Sequence, residues 1–360
     1  MPRNRHAAAG RVGVARLLDW FARDKRALPW RREPRDPYHV WLSEVMLQQT
    51  QVTTVIPYFE RWLARFPTLA DLAAAPLDDV LKQWEGLGYY SRARNFHKAA
   101  QQVVRDHNGR IPDDVDGLLA LPGVGRYTAG AIASLAFGRD TSVLDGNVKR
   151  VLSRLRAIDD PDADLWPLAE SLLPAGKAGA FNEALMELGA TICTPRDAKC
   201  GVCPLRPDCA AHALGAAARY PVKRAKPATP HHDVATAVIL NASGALLLGQ
   251  RPRDGLLGGL WEFISDDLRA PGPSPDADAL ARMVYRRTGL TVTVGERLGA
   301  VKHTFTHFKL TRHIWQCDVR TGRAPAAIGY AAVRWVARDA LGALALTRAD
   351  QRIAALIAAG

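Results

Sequence analysis

The hydrophobic pattern of this chain changes its period near Asp233. Before that point apolar residues recur at helical spacing; after it they alternate, as in strands with one buried face. The 360 residues are therefore expected to form domains of different class, one helical and one mixed. Between them the composition turns to alanine, proline and basic residues, including Pro221, Lys223, Arg224, Lys226, Pro227 and Pro230, as in a semi-extended linker. The expected division is a short disordered lead at 1–13, a helical domain at 14–212, a linker at 213–232 and a mixed domain at 233–360.

Net charge is +12, and both domains are mildly basic, which points to nucleic acid or an anionic membrane surface. No apolar run reaches the ~18 residues of a membrane span, and no basic amphipathic anchor is visible, so nucleic acid is preferred. The N-terminus is basic without an apolar segment, so it does not read as a secretory signal. Of five cysteines, Cys317 falls in an expected strand and reads as core. The others, Cys193, Cys200, Cys203 and Cys209, follow C-x6-C-x2-C-x5-C. A disulfide framework would spread along a small secreted chain, whereas four thiols this close read as a metal site. Zinc and a cubane cluster both accept four thiolates; zinc sites usually pair two short Cys knuckles, and this loop has one.

Residues 121–150 open with the turn Pro122-Gly123-Val124-Gly125. A helix over 127–137 follows, closed by Gly138. The glycines leave backbone N–H groups uncovered at that helix start, where a DNA phosphate could bind; an ordinary helix–helix turn is the other reading. Asp145 and a basic helix start at Lys149 and Arg150 complete the stretch. Upstream, Glu44 sits within a helix of apolar residues running from Trp41 to Gln51. It either lies on a polar edge, satisfied by Arg31 or Arg32, or is buried and held protonated, as a general acid must be. In residues 84–94, Tyr89, Tyr90, Arg92 and Arg94 suit a DNA-facing turn, although two tyrosines packing an interior fit as well.

The stretch LPGVGRYTAG resembles the helix-hairpin-helix of the base-excision glycosylases. The cysteine spacing, WLSEVMLQQTQ around Glu44 and Tyr89 in GLGYYSR are similar to the MutY family of adenine DNA glycosylases, and the likeness spans residues 14–350. It implies that Glu44 donates a proton to adenine, that Asp145 stabilises the positive sugar, and that Tyr127 and Asn147 position them. Tyr89 is implied as a wedge in the duplex, with Gln49 and Thr50 beside it. Arg31, Gly123, Gly125 and Glu183 are implied as substrate or DNA contacts. Glu183 would read the adenine edge, although a surface carboxylate near Lys177 is the competing reading. The cysteines of 193–209 would hold a 4Fe–4S cluster.

The last domain resembles a Nudix α+β fold. A helix is expected over 277–290, ending at Gly289. Its Nudix box has Met283, Arg286 and Arg287 where Mg²⁺-binding glutamates should stand, so a pyrophosphatase site cannot form. His303, His307 and His313 have no carboxylate among them and are not read as a metal site. Phe305, Thr306 and His307 stand in place of the family's usual Phe-Ser-His, implied to read the lesion.

Three rivals are weighed. An endonuclease III-like glycosylase and AP lyase needs an amine for a Schiff base, and the family's lysine position holds Tyr127. A non-catalytic DNA-binding module would not need both Glu44 and Asp145. A Nudix hydrolase lacks its carboxylates. The expectation is a multidomain protein, an all-α helix-hairpin-helix domain with an iron–sulfur loop followed by an α+β Nudix-like domain. It would be a monomer in the bacterial cytoplasm, bound to the nucleoid through DNA. Its substrate would be double-stranded DNA with adenine opposite 8-oxoguanine or guanine.

Overall fold

The computed structural model describes residues 13–222, 224, 228–266, 277–320 and 324–359. Of the expected lead only Gly13 falls among them, and Lys223 and residues 225–227 of the expected linker lie outside. The helices in the first part of the chain are α1 (Val14–Asp24), α2 (Pro37–Leu47), α3 (Val52–Arg65), α4 (Leu69–Ala74), α5 (Leu77–Trp84), α6 (Ser91–Asp106), α7 (Val115–Leu119), α8 (Arg126–Phe137), α9 (Gly146–Arg156), α10 (Trp166–Ser171), α11 (Ala178–Thr191) and α12 (Ala210–Ala213). The chain divides into two compact units, Met1–Ala73 with Lys98–Lys226, and Ala74–His97 with Pro227–Gly360.

The first unit is built on α11. It packs against α1, α8 and α9, burying Leu17, Phe21, Val148, Leu152, Phe181, Leu185 and Leu188 in one cluster. Local chemistry sets the helix ends. Asp36 caps α2, its side chain accepting from the Tyr38 N–H, and Pro37 follows at the first helical position. The apolar run then buries eight side chains, Glu44 among them. The helix stops at Leu47, because Gln49 takes a left-handed φ of 58°; the expected helix through Gln51 is corrected here. α8 ends at Gly138 in the left-handed conformation, as read. α9 starts at Gly146 rather than at Lys149, because Asp145 is its cap.

The second unit holds a six-stranded sheet in the order β4-β5-β1-β3-β2-β6. The strands are β1 (His231–Leu240), β2 (Leu246–Gln250), β3 (Trp261–Ser265), β4 (Val292–Thr304), β5 (Lys309–Val319) and β6 (Ala332–Val336). Only β1 and β5 run parallel among the named pairs. Alternate residues of β1 feed two cores. Ala237 and Ile239 meet Leu280, Met283 and Val284 of α13 (Ala277–Thr288), while Val238 faces the side of Ile353 on α14 (Arg348–Ala359). Cys317 is fully buried in the first core.

The structure departs from the linear division in two places. Residues 213–222 do not run free: Tyr220 is buried and its carbonyl accepts from Arg154 Nε at 3.0 Å. The segment Ala74–His97 joins the C-terminal residues. Lys82 donates to the Leu344 carbonyl at 3.1 Å, Glu85 accepts the Leu346 N–H at 2.8 Å, and Arg94 donates to the Gly258 carbonyl at 2.9 Å.

Candidate active site

A cleft of about 760 Å³ in the first unit gathers residues from five places in the chain. Arg31, Glu44, Gln49, Thr50, Tyr127, Asp145, Asn147 and Glu183 all line it, eight of the residues expected from the sequence. Its size is ordinary for a small-molecule site.

Glu44 is buried, and its partner is not Arg31 or Arg32. Tyr127 donates its hydroxyl to Glu44 Oε2 at 2.5 Å. Burial pushes the Glu44 carboxyl up to about 7, with Asp145 and Glu183 adding to the rise, against the Tyr127 hydrogen bond and Arg31. Burial likewise raises the Tyr127 hydroxyl well above its usual range. At neutral pH a large share of Glu44 is thus a neutral acid, positioned to give up a proton.

Asp145 is held by two neighbours. Its Oδ1 accepts the Val148 N–H at 2.7 Å, and its Oδ2 accepts from Asn147 Nδ2 at 2.9 Å. Asn147 is fixed in turn, because Arg150 Nη2 donates to its Oδ1 at 2.8 Å. Gly189 lets α11 come this close: a Cβ there would lie 2.6 Å from the Asn147 Cβ. Burial raises the Asp145 carboxyl, and its backbone and Asn147 hydrogen bonds oppose that.

The opposite wall is ionic. Glu183 is buried against Arg31 and Arg35 at 3.1 and 2.7 Å, so the surface pairing with Lys177 is corrected. Glu187, one turn on, pairs with Arg26 at 2.6 Å and Arg31 at 3.0 Å. Burial lifts the Glu187 carboxyl, but Arg26 and Arg31 outweigh it and hold it below its ordinary value. Arg26, Arg35 and Glu187 line the cleft unforeseen. The sequence signal was there: two glutamates four apart on an otherwise apolar helix need buried cations.

Gly123 has φ 77°, and Gly125 begins α8 without a side-chain cap, leaving the N–H groups of its first turn without a side-chain acceptor there. The four cysteines carry no disulfide and line one small cavity with Arg154. Arg154 Nη1 lies 3.3 Å from Cys193 Sγ, and Arg150 Nε donates to the Cys193 carbonyl at 2.8 Å. Among the described residues no three Cys, His, Asp or Glu side chains converge on a single ion.

In the second unit Tyr89 has a left-handed φ of 48° and hydrogen-bonds Thr306 through its hydroxyl. Both line a cavity of about 910 Å³ with Phe305 and His307, which lie in the turn between β4 and β5. Arg92 and Arg94 are buried and do not face solvent as phosphate contacts. Arg92 donates to the Gly88 carbonyl at 3.0 Å, and Arg94 to Gly258. Met283 is core, and Arg287 stacks on Tyr330 at 4.4 Å. His313 pairs with Asp233 at 2.8 Å.

Residues 42–167 match the model of the HhH-GPD superfamily of base excision DNA repair proteins, and residues 235–356 match the NUDIX domain. The chain also resembles a thermostable thymine-DNA glycosylase, with a TM-score of 0.52 and 32% identity over 56% of this chain and 95% of that one. The helical fold and its cleft thus define a base-excision DNA glycosylase. The chain is 37% identical to the adenine DNA glycosylase of Rattus norvegicus, over 94% of its own length and 76% of the relative's. It is 39% identical to that of Homo sapiens, over 94% and 72%. The chain belongs to the adenine DNA glycosylase family, the MutY family of base excision repair. No described helix is long and apolar enough to cross a membrane.

Proposed function

We propose that the cleft removes adenine mispaired with 8-oxoguanine or guanine by hydrolysis alone, without strand cleavage. The observation that carries this reading is the buried Glu44, paired with Tyr127 and raised to about 7, in one cleft with Asp145. Adenine is a poor leaving group until its ring nitrogen N7 is protonated. With the base flipped from the stack into the cleft, Glu44 supplies that proton. The glycosidic bond then breaks, its electron pair leaving with the base, and the sugar becomes a cation. Asp145 stabilises that charge, and water attacks the sugar, giving a proton back to the Glu44 carboxylate. Glu183, an acceptor held by two arginines, suits the adenine amino group.

Tyr127 occupies the place of a lyase lysine and has no amine to form a Schiff base. Tyr89, Phe305, Thr306 and His307 would contact the lesion from the second unit. An aromatic ring and hydroxyl and imidazole groups suit a purine whose C8 carbonyl and N7 donor distinguish it from guanine. The uncapped start of α8 would receive a phosphate.

The cysteine set fits a 4Fe–4S cluster: four thiols, none in a disulfide, lining one cavity. Cys193, Cys200, Cys203 and Cys209 would hold it. It would supply a structural anchor for the loop, tied through Arg150 to Asn147 and Asp145. Single-turnover release of adenine from duplexes with A opposite 8-oxoguanine, guanine and cytosine tests the assignment. Comparable rates on all three would overturn the lesion preference.

A further inference from the structure

Three arginines and two glutamates wall one side of the cleft, and their pairing leaves Glu44 out. Arg26 grips Glu187 through Nε and Nη2, at 2.6 and 2.9 Å. Arg35 grips Glu183 at 2.7 Å. Arg31 lies between them with every nitrogen committed. Its Nε donates to Glu183 at 3.1 Å, its Nη2 to Glu187 at 3.0 Å, and its Nη1 to the Arg26 carbonyl at 3.1 Å. Glu187 is 1% exposed. Removing its charge would weaken the hold on the Nη2 arm of Arg31, because Glu183 is already shared with Arg35.

Arg31 lines the same cleft as Glu44, and its charge acts on that carboxyl. The other groups acting on Glu44 are Tyr127 from α8, Asp145 before α9 and Glu183 from α11. A guanidinium moving into contact with Glu44 would favour its carboxylate form, by roughly 1–3 pH units in comparable pairs. The acid would then be ionised at neutral pH and could not protonate the base.

We infer that Glu187 is a positioning residue for adenine release, holding the Arg31 guanidinium on α11 so that it does not pair with Glu44. This rests on Glu44 being the general acid. Glu187 need not meet the substrate, because it acts through Arg31. The arrangement separates two demands on one cleft wall, which must carry cations for an anionic duplex while sparing a neutral acid beside them.

The test is the pH dependence of single-turnover adenine release by the full-length protein, at saturating enzyme, on a duplex with A opposite 8-oxoguanine. Wild type should lose activity as pH rises through about 7, where Glu44 ionises. In Glu187→Gln that alkaline limb should move down by about one unit or more, so that rates at pH 7.5 fall roughly tenfold while those at the acid end stay near wild type. Adding Arg31→Met to Glu187→Gln should bring the limb back to the wild-type position or above it, because the Arg31 charge that lowers Glu44 is gone, whatever the change does to duplex affinity. A loss by the same factor at every pH, with the limb unmoved, would overturn the inference and leave the role of Glu44 intact. A wild-type profile with no alkaline limb would remove that role and the inference with it. If Glu187→Gln does not fold, Glu187→Asp decides. Its shorter reach should move the limb partway down, and an unmoved limb in the folded variant counts against the proposal.

Discussion

Asp145 accepts the Val148 N–H at 2.7 Å, so the carboxylate proposed to steady the sugar cation also caps α9. The two roles separate by substitution. Asn is as good a cap as Asp but carries no charge. Asp145→Asn should therefore lose adenine release while its unfolding midpoint stays close to wild type. Asp145→Ala should lose release and also about 1 kcal/mol of stability. Urea unfolding beside single-turnover kinetics checks both, and an active Asp145→Asn would reject the charge role.

Glu44 makes catalysis and stability oppose each other. Its carboxyl is held at about 7 by burial, against an ordinary 4.5. Between those values the native protein keeps a proton that the unfolded chain has released, so stability falls as pH rises through about 7. Glu44→Gln removes this dependence. At pH 8 it should be more stable than wild type by up to about 3 kcal/mol, at pH 4 no more stable, and inactive at both. Equal unfolding free energies at pH 8 would contradict the burial cost.

Tyr127→Phe removes the hydrogen bond that favours ionised Glu44. The Glu44 carboxyl should rise further, and the alkaline limb of the rate profile should move up by about one unit. A downward movement would mean that Tyr127 serves the neutral acid instead. The same position predicts the covalent chemistry: borohydride should trap no major DNA adduct with wild type.

The cysteine loop predicts about four irons per chain and a brown protein after anaerobic purification. Cys200→Ser should lose iron together with duplex binding or solubility. Stoichiometric zinc without iron would refute the cluster.

Thr306→Val keeps the shape of the side chain and removes its hydroxyl. It should slow release of A opposite 8-oxoguanine more than A opposite guanine. An unchanged ratio would shift lesion reading to Tyr89 or His307.

Much of the site was legible because its chemistry is local. Glu44 stood out as a charge in an apolar helix, and Asp145 as a carboxylate just past a capped helix. The cap itself was missed by starting α9 at Lys149, although an Asp three residues before a buried Val is a recognisable start. Partners distant in sequence were not legible. Arg92 and Arg94 looked like phosphate contacts, but Arg94 is spent on the Gly258 carbonyl, 164 residues away. The alternating pattern after Asp233 does not mark β3, because all five of its residues are buried, Glu262 included.

The grouping of Ala74–His97 with residues from Pro227 onward has a consequence for biogenesis. Lys82, Glu85 and Arg94 take their partners from a part of the chain made much later. At roughly 5–20 residues per second, a ribosome needs on the order of ten seconds to reach those partners. The contacts that Lys82, Glu85 and Arg94 make with residues 258 to 346 can therefore form only after the chain between them has been made.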